Sequence, residues 1–253
     1  MRIGIAGMTG RMGRLLIEEA RAAGHELVGG TVHTAAAPED VPALSLPDLA
    51  ASADVVIDFT HAASAALHAE VMARGGTPWV LGTSGLSASD ESAVDQAAET
   101  IPVVYAANFG PGVTILLALA EQLGAALPAD QYDAEIVEMH HRQKVDAPSG
   151  TAVALGRAVA KGRGVHLETH MQSGRNGNTG PRPPGVIGFA ALRGGQIVGE
   201  HTLLFAAAGE QIALSHRALD RRAFAAGAIR AAAWVQTQQP GRYGMREVLG
   251  LNP

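Results

Sequence analysis

The 253-residue chain contains no cysteine, which excludes disulfides, thiolate metal sites and a cysteine nucleophile together. Aromatic residues make up only 4% and the formal net charge is -5, so the basic footprint and stacking surface of a nucleic-acid binder are both missing. Long apolar runs are missing as well. None approaches the ~18 residues of a membrane span, and the N-terminus enters a strand pattern at once, without the basic and apolar segments of a signal peptide. These absences predict a cytoplasmic protein that partners neither nucleic acid nor membrane. What is present is 47% hydrophobic content, ordinary for a packed core, in a length that suits one large α/β domain or two modest ones.

Short apolar runs alternate with helical segments through the first part of the chain, which predicts parallel strands joined by right-handed crossovers in a Rossmann-type doubly wound sheet. Strands are expected at Arg2–Ala6, Glu26–Val32, Asp54–Phe59, Pro78–Leu81 and Pro102–Tyr105. Helices are expected at Arg11–Ala23, Ala62–Arg74 and Ala88–Thr100, the last behind Ser87 or Ser89 as N-cap. Pro38, Pro42 and Pro47 interrupt the crossover before the third strand and leave room for a short helix at most.

Beyond Asn108 the rhythm changes, and a second, α+β domain with a mixed or antiparallel sheet is expected. It would comprise helix Val113–Leu127, strand Ala134–His140, helix Ser149–Lys161, a loop rich in Gly, Pro and Arg from Ser173 to Gly185, and strands Val186–Leu192, Ile197–Phe205 and Gln211–Ser215. Arg193, Gly194 and Gly195 read as a hairpin turn joining the first two of those strands. Helix Ala223–Gln236 could pack back on the first domain. The expected division is residues 1–109 with 221–253 as a dinucleotide-binding domain and residues 110–220 as a substrate domain.

Gly7, Gly10 and Gly13 stand three apart after the first strand and at the mouth of a helix, where a tight turn exposes backbone N–H groups and the positive end of the helix dipole to a pyrophosphate. The candidate nucleotide contacts here are Gly7, Met8, Thr9, Gly10, Arg11 and Met12. A turn needing glycine only for its backbone shape would read the same way. After the second strand the carboxylate that usually holds the adenine ribose is absent, and Val32 and His33 stand there instead. A 2′-phosphate would meet no repulsion, and Arg11 with His33 could pair with it, so NADPH is favoured with NADH still open. Later strand ends add Phe59 and Thr60, then Gly82, Thr83 and Ser84, then Ala106, Ala107, Asn108 and Phe109 as cofactor contacts. Phe59 and Phe109 could equally be core aromatics.

From Glu135 to Ala152 the sequence EIVEMHHRQKVDAPSGTA places three carboxylates, two imidazoles and two cations beside a helix start. Asp146 to Gly150 stops the strand and opens a helix N-terminus with free backbone donors, a seat for a carboxylate. Lys144 adds a mobile positive charge, and His140 can donate or take a proton near neutral pH. Adjacent histidines on a strand point to opposite faces and no i, i+4 pair is present, so no metal is expected. Either His141 or Glu138 could serve only to brace its neighbour.

This run resembles the signature E-x-x-E-x-H-H-x-x-K-x-D-x-P-S-G-T-A of dihydrodipicolinate reductases. The resemblance extends through GMTGRMG at Gly7–Gly13, VIDFT at Val56–Thr60, GTSG at Gly82–Gly85, ANF at Ala107–Phe109, IVGEH at Ile197–His201 and the segment Phe224–Trp234. It implies an NAD(P)H-dependent reductase of a small cyclic dicarboxylate in lysine and diaminopimelate synthesis. It further implies His140 as the acid/base residue, Lys144 as a proton donor, and His141, Gly150 and Thr151 as holders of the substrate carboxylates. A homotetramer whose second domains pool their strands is also implied. Val32 and His33 depart from the family's usual acidic residue.

Overall fold

In the computed structural model, which describes residues 1–33 and 35–251 and leaves Thr34, Asn252 and Pro253 outside it, the early apolar runs become strands separated by helices. They are β1 (Arg2–Ala6), α1 (Arg11–Ala22), β2 (Glu26–Gly30), α2 (Leu46–Ser52), β3 (Val55–Asp58), α3 (Ala65–Gly75), β4 (Trp79–Leu81), α4 (Ala88–Ala98) and β5 (Pro102–Tyr105). The caps explain where the helices begin. Ser45 accepts from Asp48 N and starts α2, and Ser87, not Ser89, forms a capping box with Asp90 at α4.

The chain divides into two compact units, Met1–Pro111 with Arg221–Pro253, and Gly112–Asp220. From α5 (Pro111–Ala126) the second unit runs through β6 (Asp133–His140), α6 (Gly150–Gly162), α7 (Leu167–His170), β7 (Met171–Ser173), β8 (Ile187–Arg193), β9 (Gly199–Ala206) and β10 (Gln211–Ala218), and the first unit is completed by α8 (Arg222–Val235), β11 (Gly241–Tyr243) and α9 (Met245–Leu249).

The first unit is a parallel sheet in the order β11-β5-β4-β3-β1-β2. Strand periodicity sorts its side chains to two faces. Ile3, Ile5, Val55, Ile57, Val80 and Val104 pack with residues of α1, α8 and α9. Val56, Trp79, Leu81 and Val103 pack with residues of α2, α3 and α4. From β1 the chain goes to β2 on one side and returns to β3 on the other, so the C-terminal ends of β1 and β3 flank a topological switch point.

The second unit is a mixed sheet in the order β10-β9-β6-β8-β7. β6 runs parallel to β8 and antiparallel to β9. Its alternation puts Ala134 and Ile136 into a core shared with Leu116 and Ala120 of α5, Leu155 and Val159 of α6, Phe189 and Phe205. The hairpin expected at Arg193, Gly194 and Gly195 does not form, because β6 lies between β8 and β9. The connection instead rounds the end of β6. Gly194 N donates to His140 O at 2.9 Å, Arg142 N donates to Gly195 O at 3.3 Å, and His141 N donates to Ile197 O at 2.8 Å. Burying β6 at the centre satisfies its backbone on both edges, which a β8–β9 hairpin would prevent. Among the described residues no helix is long and apolar enough to cross a membrane.

Candidate active site

The last turn of the pleat on β6 carries Glu138 and His140 on the core side, both buried. Register then supplies their neighbours: His140 stands opposite Arg193 on β8, and Glu138 opposite His201 on β9. One carboxylate gathers these groups. Glu138 accepts from His140 Nδ1 at 2.6 Å, from both Nη atoms of Arg193 at 2.8 Å, and from Ser149 N at 3.1 Å. Ser149 is the N-cap of α6. Its Oγ accepts from Ala152 N at 3.2 Å and lies 3.0 Å from His201 Nε2. The His201 ring meets the His140 ring edge-on at 5.2 Å.

Burial opposes ionisation of Glu138, but the bonds from Arg193, His140 and Ser149 outweigh it and hold the carboxyl below its usual range. It is therefore an anion near neutral pH. His140 is lowered, first by burial, with Glu138 pulling the other way and Lys144 and Arg193 adding to the depression. His201 is lowered to about 4, again by burial first and then by the nearby His140. Because Glu138 is charged and sits on Nδ1, the neutral His140 imidazole keeps its hydrogen there and leaves Nε2 as the basic atom. The backbone of Gly199 lies beside that atom, where a Cβ would stand 3.1 Å from Nε2.

Gly150 and Thr151 occupy the first two positions of α6, and among the described residues their N–H groups make no hydrogen bond. The carboxylate seat expected from sequence is thus a pair of free donors on a helix whose cap is tied to Glu138 and His201. Lys144 is not a mobile charge: its Nζ holds Asp146 Oδ1 at 2.8 Å. His141 is partly buried, and its Nδ1 has no hydrogen-bond partner. Arg193 and His201 escaped the sequence reading as site residues. Arg193 ends β8 and His201 is the third residue of β9, both far from Glu138 along the chain, and no local pattern links them to it.

In the first unit the glycine turn follows β1. Gly7 adopts φ of 73° and donates to Thr31 Oγ1 at 2.9 Å, Met8 N donates to Thr31 O, and Gly10 N donates to Gly7 O. A Cβ on Gly13 would overlap Gly7 O and the Met8 backbone, so glycine there is required by the close approach of α1 to the turn. Among the described residues the N–H groups of Thr9, Arg11 and Met12 make no hydrogen bond, which leaves donors for an anion at the mouth of α1. Met8 and Phe109 are buried in the core of this unit, so their side chains support the turn and the strand end and do not line an open surface. Phe59 packs against Phe109 with centroids 5.4 Å apart, and a Cβ on Gly82 would overlap the Phe59 ring.

The other strand ends are held by short polar links. Thr83 Oγ1 donates to Thr60 O at 3.1 Å, and Gly110 N donates to Asn108 Oδ1 at 2.7 Å. Ala106 N is bonded to Leu81 O at 3.1 Å. Ser84, Ala107, Arg11 and His33 are exposed. Buried Asp58 caps the β3 turn by accepting from Thr60 N and Thr60 Oγ1, with His68 Nδ1 at 2.6 Å on its other oxygen. Arg14 and Arg221 join Arg11 and Thr9 along a cavity of about 470 Å³, and none of the three arginines makes an ion pair among the described residues. The sequence reading did not single out Arg14 or Arg221 as site residues.

Comparison with known proteins covers nearly the whole chain. Residues 1–109 match the family model of the dihydrodipicolinate reductase N-terminus, and residues 112–249 match that of its C-terminus. A protein of Granulibacter bethesdensis named 4-hydroxy-tetrahydrodipicolinate reductase is 61% identical, over 99% of this chain and 97% of its own length. One of the same name from Gluconacetobacter diazotrophicus is also 61% identical, over 100% of this chain and 98% of that protein. Among solved structures, a dipicolinate-bound dihydrodipicolinate reductase from Paenisporosarcina sp. TG-14 superposes with a TM-score of 0.81 at 25% identity, covering 98% of both chains.

Proposed function

The chain belongs to the dihydrodipicolinate reductase family and is an oxidoreductase, and from that premise we propose that it reduces 4-hydroxy-tetrahydrodipicolinate, after loss of water, to tetrahydrodipicolinate in lysine and diaminopimelate synthesis. The observation that carries the reading is the pairing of a Glu138-bound His140 with the two free N–H groups at the start of α6.

The cofactor is a pyridine nucleotide. The free donors at Thr9, Arg11 and Met12 fit its pyrophosphate, and the unpaired Arg11 with exposed His33 suits the extra phosphate of NADPH, with NADH still accommodated. Thr60, Gly82 to Ser84 and Ala106 to Asn108 would line the nicotinamide side. When bound, the reduced nicotinamide supplies a hydride for C4 of the ring.

The Gly150 and Thr151 N–H groups would bind one ring carboxylate, with His141 and Lys144 on the dicarboxylate beside them. These donors fix the ring and steady the negative charge that develops on it. C3 would be protonated by His140 or by a water it orients; His140 acts through Nε2, which first takes a proton from solvent, because Nδ1 is committed to Glu138. The sheet face opposite α5 and α6 carries Val137, Met139, Leu192 and Leu204, an apolar surface suited to further copies of the chain in a homotetramer.

Purified enzyme supplied with substrate made by the preceding synthase is expected to oxidise NADPH and NADH, followed by loss of the reduced nicotinamide absorbance. In His140→Gln the turnover should fall ~10²–10⁴-fold with substrate binding much less changed. Wild-type turnover in that variant would remove His140 from the acid/base role.

A further inference from the structure

The Glu138 carboxylate makes more bonds than a simple brace for a histidine needs. Two of them come from one guanidinium in fork geometry, and Arg193 itself is held in place by donating to Asp146 O at 2.6 Å and Leu192 O at 2.7 Å. A buried carboxylate facing an imidazole with no third party would draw a proton onto the ring and hold it there. A buried imidazole with no carboxylate would be free to bear its hydrogen on either nitrogen. The arrangement found avoids both outcomes.

We propose that Glu138 and Arg193 act together as positioning residues for His140: Glu138 keeps a hydrogen on Nδ1 so that Nε2 is the atom that gains and loses the exchangeable proton, and Arg193 cancels the carboxylate's charge so that the protonated ring releases that proton. This rests on the reading of His140 as the acid/base residue, and it adds the device that tunes it. The charged and titratable groups facing His140 in its unit are Glu138 on its own strand, Arg193 at the end of β8, His201 on β9 and Lys144 in the loop after β6. His201 is held neutral by burial, and Lys144 is paired with Asp146. Glu138 and Arg193 are therefore the two groups whose removal should move His140 in opposite directions.

The experiment is an NMR titration of the imidazole ¹⁵N signals of His140 in the intact enzyme and in Glu138→Gln, Arg193→Gln and Arg193→Lys. Arg193→Gln is expected to raise the His140 midpoint by about one pH unit, since the carboxylate then acts on the ring uncancelled. Glu138→Gln should lower it by about as much and blur the Nδ1–H signature into a mixture of tautomers. Arg193→Lys keeps the cation and should stay near wild type. Midpoints that move the same way, or stay put, in the two glutamine variants would overturn the proposal. If Glu138→Gln does not fold, equal midpoints for Arg193→Gln and Arg193→Lys would overturn it as well.

The pH dependence of kcat separates this inference from the one beneath it. An acid or base limb that follows the NMR midpoint across the variants supports both. NMR midpoints that move as expected while the limb stays fixed would keep the positioning pair and remove His140 as the proton carrier. A role confined to stability would lower the unfolding temperature of all three variants without opposed shifts.

Discussion

The glycine turn of the first unit presents backbone N–H groups and unpaired, exposed arginines, whereas the end of β6 in the second presents side chains already bonded to one another and shielded from water. The two constructions differ in what they are sensitive to. Backbone donors depend on main-chain shape and are indifferent to most side chains around them, so on the proposed reading nucleotide preference would fall to a few surface positions such as His33 and Arg11. A buried ionic network depends on each partner, because removing one leaves another charged without compensation.

The contrast can be pressed first by acid. His201 is held at about 4 where an unfolded chain would titrate near 6.5. The unfolded state takes up that proton first, so the contribution is full above about 6.5 and is lost as pH falls towards about 4. The loss is on the order of 3 kcal/mol. Urea unfolding measured across that range should show stability falling with pH in the wild type and a flatter profile in His201→Asn; parallel profiles would contradict the assignment. A smaller effect is expected at the backbone-built end. Gly13→Ala should cost about 1–3 kcal/mol and abolish nucleotide binding, because the new Cβ must push α1 away from the turn. Calorimetric titration with NADPH checks it, and unchanged affinity would show that the turn tolerates the shift. Smallest should be His33→Asp, which adds a charge to the exposed end of the proposed adenine site without touching the turn. NADPH use is expected to fall roughly tenfold relative to NADH in kcat/KM, about 1.4 kcal/mol. An unaltered ratio would place the discriminating group elsewhere.

Much of the first unit was legible because its strands are short apolar runs between helices, and a serine N-cap ahead of α4 or Gly7 with Gly13 announce themselves locally, though only the structure chooses Ser87 over Ser89. The elements that went unread, β7, α7, β11 and α9, are three to five residues long and carry no period to detect. In the second unit four of the five strands were read, but their neighbours were not. Hydropathy identifies β8 and β9 as strands, yet it holds no record of β6 passing between them. The same gap hid Arg193, which reads as the start of a turn until its partner Glu138, 55 positions earlier, is beside it. His140, Lys144 and the start of α6 lay within one run of sequence and could be read together. Asp58 and His68 could not, since a buried acid and a helical histidine ten residues on have no pattern linking them.

The central place of β6 also orders events during synthesis. The strand that ends in His140 is made early, but the neighbours that fix it, β8 and β9, come from residues 187–206, and Arg193 arrives only with them. The parallel sheet of the first unit likewise waits for β11, and its α1 side for α8. A chain still emerging from the ribosome at residue 180 therefore has the histidine and the glutamate but no place to seat them. Both units close only as residues 187–249 are delivered, which makes their contacts long in sequence and their folding slow relative to a domain built from neighbours.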